Sequence, residues 1–541
     1  MKKYLVFIII MSALNAYAQG DIEKENITII KSFEPVLIDA ERPNLSPSGI
    51  APDMSSNTNT NLTIYQIPPR LLATEFDAPQ IKPLAYKIVE DDWQYRYFIK
   101  AGYGNLQTPY LDVSASTRSS KKFSGGLHGF FTQSNGKDLP FQKFRNIDAN
   151  AFGKWFRPKV YWGVNLDYEN EKYHYYGIDP FEVPDDGEKI ALTYNTGRAS
   201  IDLGNLRNDY YSFDHETKLT YQYCENNYGA QEHNINFATK LIKTFGTGFG
   251  LGTDTWFDYT NFTNQEDYRD PLQNSLLNFT PYLQYSRPWG LFKAGANLLL
   301  DGQEFTPKPY LYTELHVWER KMSLFAGWET QAFKNNLYNL HQENPYLAQD
   351  INFVNSFKTA IYGGIKGNIS NNFTYALTAG KYDTKQQAMF VTDYLDERNP
   401  FVIIYDSLKA ITTKLEITYH FDKPYSVRFI GQYSDFETTT EEKPWHIPNL
   451  DIGFNIKIAP FARFETGLDL FLIDGLYAKA ANGESIALDP VPDLSIDLAY
   501  AIKHNWSVFA ETHNLLNKKY QRYLNYPSYG INFLVGTIVK F

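Results

Sequence analysis

From Trp93 onward the chain alternates apolar and polar residues with a period of two, segment after segment, and little of it has a helical period. "KVYWGVNLDY" puts Val160, Trp162, Val164, Leu166 and Tyr168 on one face and Tyr161, Gly163, Asn165 and Asp167 on the other. "KLEITYHF" sets Leu415, Ile417, Tyr419 and Phe421 against Lys414, Glu416, Thr418 and His420. "FARFETGLDLFL" and "DLSIDLAY" repeat the rule. Such a chain folds as sheet. Parity alone does not say whether the apolar face turns inward, as in a sandwich, or outward to lipid.

The connections separate the two. Tight turns at "FRPK", "RPWG", "ERKM", "FDKP" and "KHNW" alternate with long loops such as "ENEKYHYYGIDPFEVPDDGEK", "TNQEDYRDPLQNS", "NNLYNLHQENPYLAQDINF" and "NKKYQRYLNYPSYG". Short turns on one rim and long loops on the other are the habit of outer-membrane barrels, with the short rim in the periplasm, and no sandwich topology demands them. The expected fold is all-β: a transmembrane antiparallel barrel of about 22 strands between residues 93 and 541, with both barrel ends on the short-turn rim.

The start of the chain agrees. "MKKYLVFIIIMSALNAYAQG" has two lysines, an apolar run too short to span a bilayer, and Ala16-Tyr17-Ala18 before Gln19, which reads as a signal peptide over residues 1–18. The 541 residues include 41 tyrosines and 38 phenylalanines, with a net charge of -10 and one cysteine, Cys224. An exported, Tyr-rich chain without an apolar 20-mer is what a barrel requires, since only every other residue meets lipid. The expected location is the outer membrane of a Gram-negative bacterium, with outer-membrane lipid as one partner. A lone cysteine excludes an internal disulfide framework and any site built on several cysteines.

The chain stops on "GINFLVGTIVKF", where Ile531, Phe533, Val535, Thr537, Val539 and Phe541 share an apolar face. A closing strand that pairs with the first buries such an end, so Phe533, Val539 and Phe541 are expected on the lipid face. Just before it, "HNWSVFAETHNLLNKKYQRYLNYPSYG" resembles the end of a TonB-dependent receptor barrel, the match centring on "NLLNKKY" (Asn514 to Tyr520) and a loop with Tyr526-Pro527. The resemblance implies a 22-stranded receptor barrel, a periplasmic TonB-like coupling protein, and assembly machinery that reads the final strand. It names no substrate. Asn514 and Asn517 are expected to fix a strand end and turn rather than to bind ligand.

The resemblance also implies a globular plug ahead of the barrel, and residues 19–92 do not read as one. They form a Pro/Ser/Asn-rich tract punctuated by Pro35, Pro43, Pro47, Pro52, Pro68, Pro69, Pro79 and Pro83, with few periodic apolar residues. It is expected to be extended, as a lumen or partner segment. Within it Ile27, Thr28, Ile29 and Ile30 are β-prone, either a strand-addition handle for a periplasmic partner or an unstructured leader.

No catalytic motif is present: no G-x-S-x-G, no H-E-x-x-H, no P-loop, and no pair of histidines at i, i+4. No catalytic residue, cofactor, metal site or nucleic-acid partner is expected. Asp179, Asp185, Asp186 and Glu188 read as solvated charge rather than a calcium loop. Tyr173, Tyr175, Tyr176 and Phe181 are either a loop contact surface or, the favoured reading, part of the interfacial aromatic girdle. Two functions remain open: a receptor-like transporter, or a non-transporting subunit of an outer-membrane assembly or secretion complex.

Overall fold

In the computed structural model, residues 95–541 are described, except 118, 119, 121, 138, 179–186, 207–212, 247, 265–270, 319, 320 and 422–424. The expected signal peptide, the tract to residue 92 with Ile27, Thr28, Ile29 and Ile30, and Phe181, Asp179, Asp185 and Asp186 lie outside them.

The alternating segments form one antiparallel sheet of 22 strands. Each strand pairs with the next in sequence, and the last, Asn532–Lys540, pairs with the first, Tyr97–Gly104. Closure removes both sheet edges, so the ladder satisfies every strand without water. At the seam Phe541 accepts backbone hydrogen bonds from Arg96 (2.9 Å) and Tyr97 (2.8 Å), and its ring lies 5.2 Å from that of Tyr97.

Register settles which face turns out. Leu219 stands opposite Ile201 and Phe237, and Phe257 opposite Phe237, so one apolar parity runs unbroken from strand to strand. Leu219, Ile201 and Phe257 are exposed and Phe237 half-buried, and Leu166, Leu283, Ile361, Phe533 and Val535 are exposed as well. An apolar outer wall on a closed barrel is stable only against hydrocarbon. The opposite parity, with Asp202, Lys218, Lys240 and Asp254, lines the lumen. At the seam a Cβ on Gly536 would fall 2.1 Å from the Ala101 carbonyl oxygen, so only glycine lets the two strands approach.

Tight turns such as Arg287–Gly290 join strands at one end, and the longer connections gather at the other. A wide barrel of this size cannot fill its lumen with wall side chains. Part of the filling comes from the long connections, which fold together instead of standing apart in solvent.

Candidate functional site

The connection from Lys334 to Asn355 leaves its strand and turns into the lumen. It begins with a short helix, Leu337–Glu343, whose N-cap Asn336 accepts from the Asn339 N–H at 2.9 Å. What draws it inward is a set of carboxylates on lumen-facing positions of the wall. Glu232, fully buried, accepts the Leu337 N–H at 2.6 Å, satisfying a donor that the helix leaves open. Glu171 receives His341 Nε2 and Gln342 Nε2, each at 3.0 Å. Lys334 lies 3.4 Å from Asp258 and donates to Asn274, while Asn355 donates to Asp301 at 2.7 Å. These partners sit on five strands, Val160–His174, Ala230–Phe245, Phe249–Asn264, Leu272–Arg287 and Gly290–Asp301, so one connection is tied across a broad arc of wall.

Above this polar layer the connections share an apolar core. Tyr175, Leu192, Tyr194, Leu340, Leu347, Phe390, Phe401, Tyr523 and Tyr526 are all buried in it. Each buried tyrosine hydroxyl needs a partner, and three find backbone carbonyls of the same segment: Tyr523 at Glu343 (2.6 Å), Tyr194 at Pro345 (3.2 Å) and Tyr175 at Leu347 (2.5 Å). Tyr346 stacks on Tyr526 at 3.9 Å and meets Tyr176 and Tyr173 edge-on. Tyr173, Tyr175 and Tyr176 thus sit in the loop layer, facing inward, and not in an outward girdle. The reason is register: Tyr173 shares the lumen parity of Glu169 and Glu171, and the chain then bends over the mouth. Glu188 pairs with Lys172 at 2.9 Å. Phe533, Val539 and Phe541 face outward beside the first strand. Asn514 and Asn517 hold left-handed backbone at a turn, where Asn514 donates to the carbonyls of Lys518 and Tyr529.

His446 ties its own connection to the loop that carries Leu524 and to the strand Phe373–Thr392, which carries Phe390. Its Nε2 accepts the Leu524 N–H at 3.3 Å, so Nδ1 carries the proton and donates to the Phe390 carbonyl at 2.9 Å. Burial, helped by the nearby Arg522 charge, lowers its pKa to about 4. Burial likewise pushes the Glu343 carboxyl up, with Arg522 opposing.

Beneath the layer lies a cavity of about 1320 Å³. Its wall presents Arg198, Lys218, Trp256 and Asp258, and its roof Tyr338 and Tyr346. Arg198 bonds Gln222 at 3.0 Å and lies over the Tyr338 ring at 4.8 Å. This is a polar and aromatic chamber suited to binding. Among the described residues no group of His, Cys, Asp and Glu is arranged to hold a metal ion. Sequence reasoning missed the loop layer. Its one legible signal was the density of Asn and Tyr in the two long stretches "NNLYNLHQENPYLAQDINF" and "NKKYQRYLNYPSYG".

No protein-family model and no curated protein matches the chain. Solved structures do. The FrpB iron transporter from Neisseria meningitidis superposes with a TM-score of 0.63 at 9% identity, over 83% of this chain and 82% of the other. A ferric enterobactin receptor mutant from Pseudomonas aeruginosa gives 0.62 at 10% identity, over 82% and 80%. The ferripyoverdine receptor of the outer membrane of Pseudomonas aeruginosa gives 0.60 at 9% identity, over 83% and 72%. With that likeness added to its strand number, its closure and its apolar outer wall, the chain is an outer-membrane β-barrel with the fold of the TonB-dependent receptors.

Proposed function

We propose that this barrel is a receptor-like outer-membrane transporter whose long-loop end is closed at rest by its own connections. The observation that carries the reading is the chamber: a 22-stranded lumen holding a cavity of about 1320 Å³ under a roof of loops latched to wall carboxylates. The similar structures are receptors and transporters for iron compounds, which supports transport over catalysis. In this reading part of the N-terminal tract, between Leu62 and Lys87, serves as a lumen segment, and Ile27–Ile30 are left available to add as a strand to a periplasmic TonB-like coupling protein.

The test is single-channel conductance of the purified full chain in planar bilayers. Deleting Gly20 to Lys87 is expected to raise conductance, and cutting the latch with Glu171→Ala is expected to raise it further. Unchanged conductance in both variants refutes the gated lumen. One feature favours a second reading, a structural subunit of a larger outer-membrane complex. The loop layer holds a buried apolar cluster of its own, with carbonyls of one segment bonded by tyrosine hydroxyls. Affinity purification of the detergent-extracted protein separates the two: a coupling protein supports transport, and a stable multi-protein complex supports the subunit.

A further inference from the structure

The segment Glu343–Ala348 is held as a bound peptide is held. Along one edge its alternate carbonyls, at Glu343, Pro345 and Leu347, accept the hydroxyls of Tyr523, Tyr194 and Tyr175, which come from three separate elements. Glu343 closes the helix, and from Asn344 the backbone is extended, so the Pro345 and Leu347 carbonyls share one edge. Along the other edge runs a parallel bridge. The Phe401 N–H donates to the Tyr346 carbonyl, and the Ala348 N–H donates to the Phe401 carbonyl, each at 2.8 Å. The side chains between the edges fill two pockets. Tyr346 lies flat on Tyr526 at 3.9 Å, and Leu347 is 1% exposed.

This division of labour, with the backbone gripped on both edges and neighbouring side chains sorted into pockets, is that of strand-addition peptide sites. The grip on the backbone is indifferent to sequence, and the pockets select an aromatic followed by an aliphatic residue. The occupant is also separable from its groove. Lys334 ties its connection to the wall through Asp258, outside the groove, and the Glu171 carboxylate does the same for His341, whose ring also stacks on Tyr194 at 4.2 Å. The cavity below, lined in part by Leu340, Glu343 and Tyr346, leaves it room to withdraw. We propose that the groove formed by Tyr175, Tyr194, Phe401, Tyr523 and Tyr526 is a binding site for an extended peptide of another protein carrying an aromatic–aliphatic pair. The chain's own Glu343–Ala348 is its built-in competitor.

The experiment uses the full-length protein in detergent micelles and a fluorescein-labelled peptide, QENPYLAQ, copied from Gln342–Gln349, with a twin carrying alanine at the tyrosine and leucine. Binding is read by anisotropy, and heat-modifiable gel mobility verifies that each barrel is folded. The variant Tyr346→Ala/Leu347→Ala strips the competitor's anchors and is expected to bind the peptide at least about tenfold more tightly than the parent, with the twin not bound. Adding Tyr194→Phe and Tyr523→Phe is expected to cost about tenfold, two lost hydroxyl contacts to carbonyls. Because the double alanine variant could misfold, Lys334→Ala/Glu171→Ala cuts the ties to the wall while leaving every groove and anchor side chain in place, and must show a gain of the same kind. If neither variant gains affinity, or if peptide and twin bind alike, the groove is only a fold contact and the proposal is wrong.

Discussion

Acid should loosen the loop layer through His446, and the size of the effect follows from its burial. In the folded layer the ring is neutral: Nδ1–H donates to Phe390, Nε2 accepts from Leu524, and the aromatic rings of Phe401 and Tyr523 lie 5.5 and 5.4 Å away. Protonation would put a donor where the Leu524 N–H already points, in a site from which Arg522 repels positive charge. Hence the folded pKa is about 4 against 6.5 for the free side chain. A base with a depressed folded pKa stabilises the folded layer above its unfolded pKa and loses that contribution as pH falls through the window between the two values. By linkage the loss at about pH 5 is about 2 kcal/mol, or roughly thirtyfold in the equilibrium for layer opening. The assay is hydrogen exchange at the Leu524 amide in the micelle-bound protein between about pH 7.5 and about pH 5, corrected for intrinsic exchange rates. The comparison is His446→Asn, which suits the left-handed backbone at this position (φ 59°) and does not titrate. Wild type should lose about thirtyfold in protection while the variant keeps a flat profile at its own lower level. An equal slope in both proteins would refute the reasoning and move the acid response to the carboxylates of the wall.

Three further outcomes are expected. Leu219→Arg on the outer wall should destabilise the barrel by about 2–4 kcal/mol in urea unfolding from lipid, while Thr220→Arg, one residue on and facing the lumen, should cost far less. Gly536→Val should cost about 1–3 kcal/mol and lower the yield of heat-modifiable barrel, because the new Cβ meets the Ala101 carbonyl at 2.1 Å and the Phe509 ring at 2.7 Å. A cysteine at Leu395, which is 98% exposed on a long connection, should react with a membrane-impermeant maleimide on intact cells, and one at Trp289 on a tight turn should not; buried Cys224 will not compete. Labelling at Trp289 alone would reverse the orientation.

The barrel was legible in the sequence because its information is local. Period-two alternation marks each strand, and parity carries Val160 to Tyr168 or Leu494 to Tyr500 to one face whatever lies elsewhere. The rhythm of short and long connections supplied closure and strand number, and the apolar parity of Ile531 to Phe541 supplied the seam. The loop layer was not legible, because nothing near Tyr175 in sequence says that its hydroxyl will meet the Leu347 carbonyl, 172 residues away. An aromatic residue just past a strand end suits a membrane girdle or an inward core equally well by composition. Only the closed ring, by setting the ends of distant strands around one mouth, decides that Tyr175, Phe401 and Tyr523 share a core and that Glu171 meets His341. Local periodicity therefore determined the wall, and tertiary closure decided what the wall encloses, since contacts across a lumen depend on the circumference and not on any neighbour in the chain.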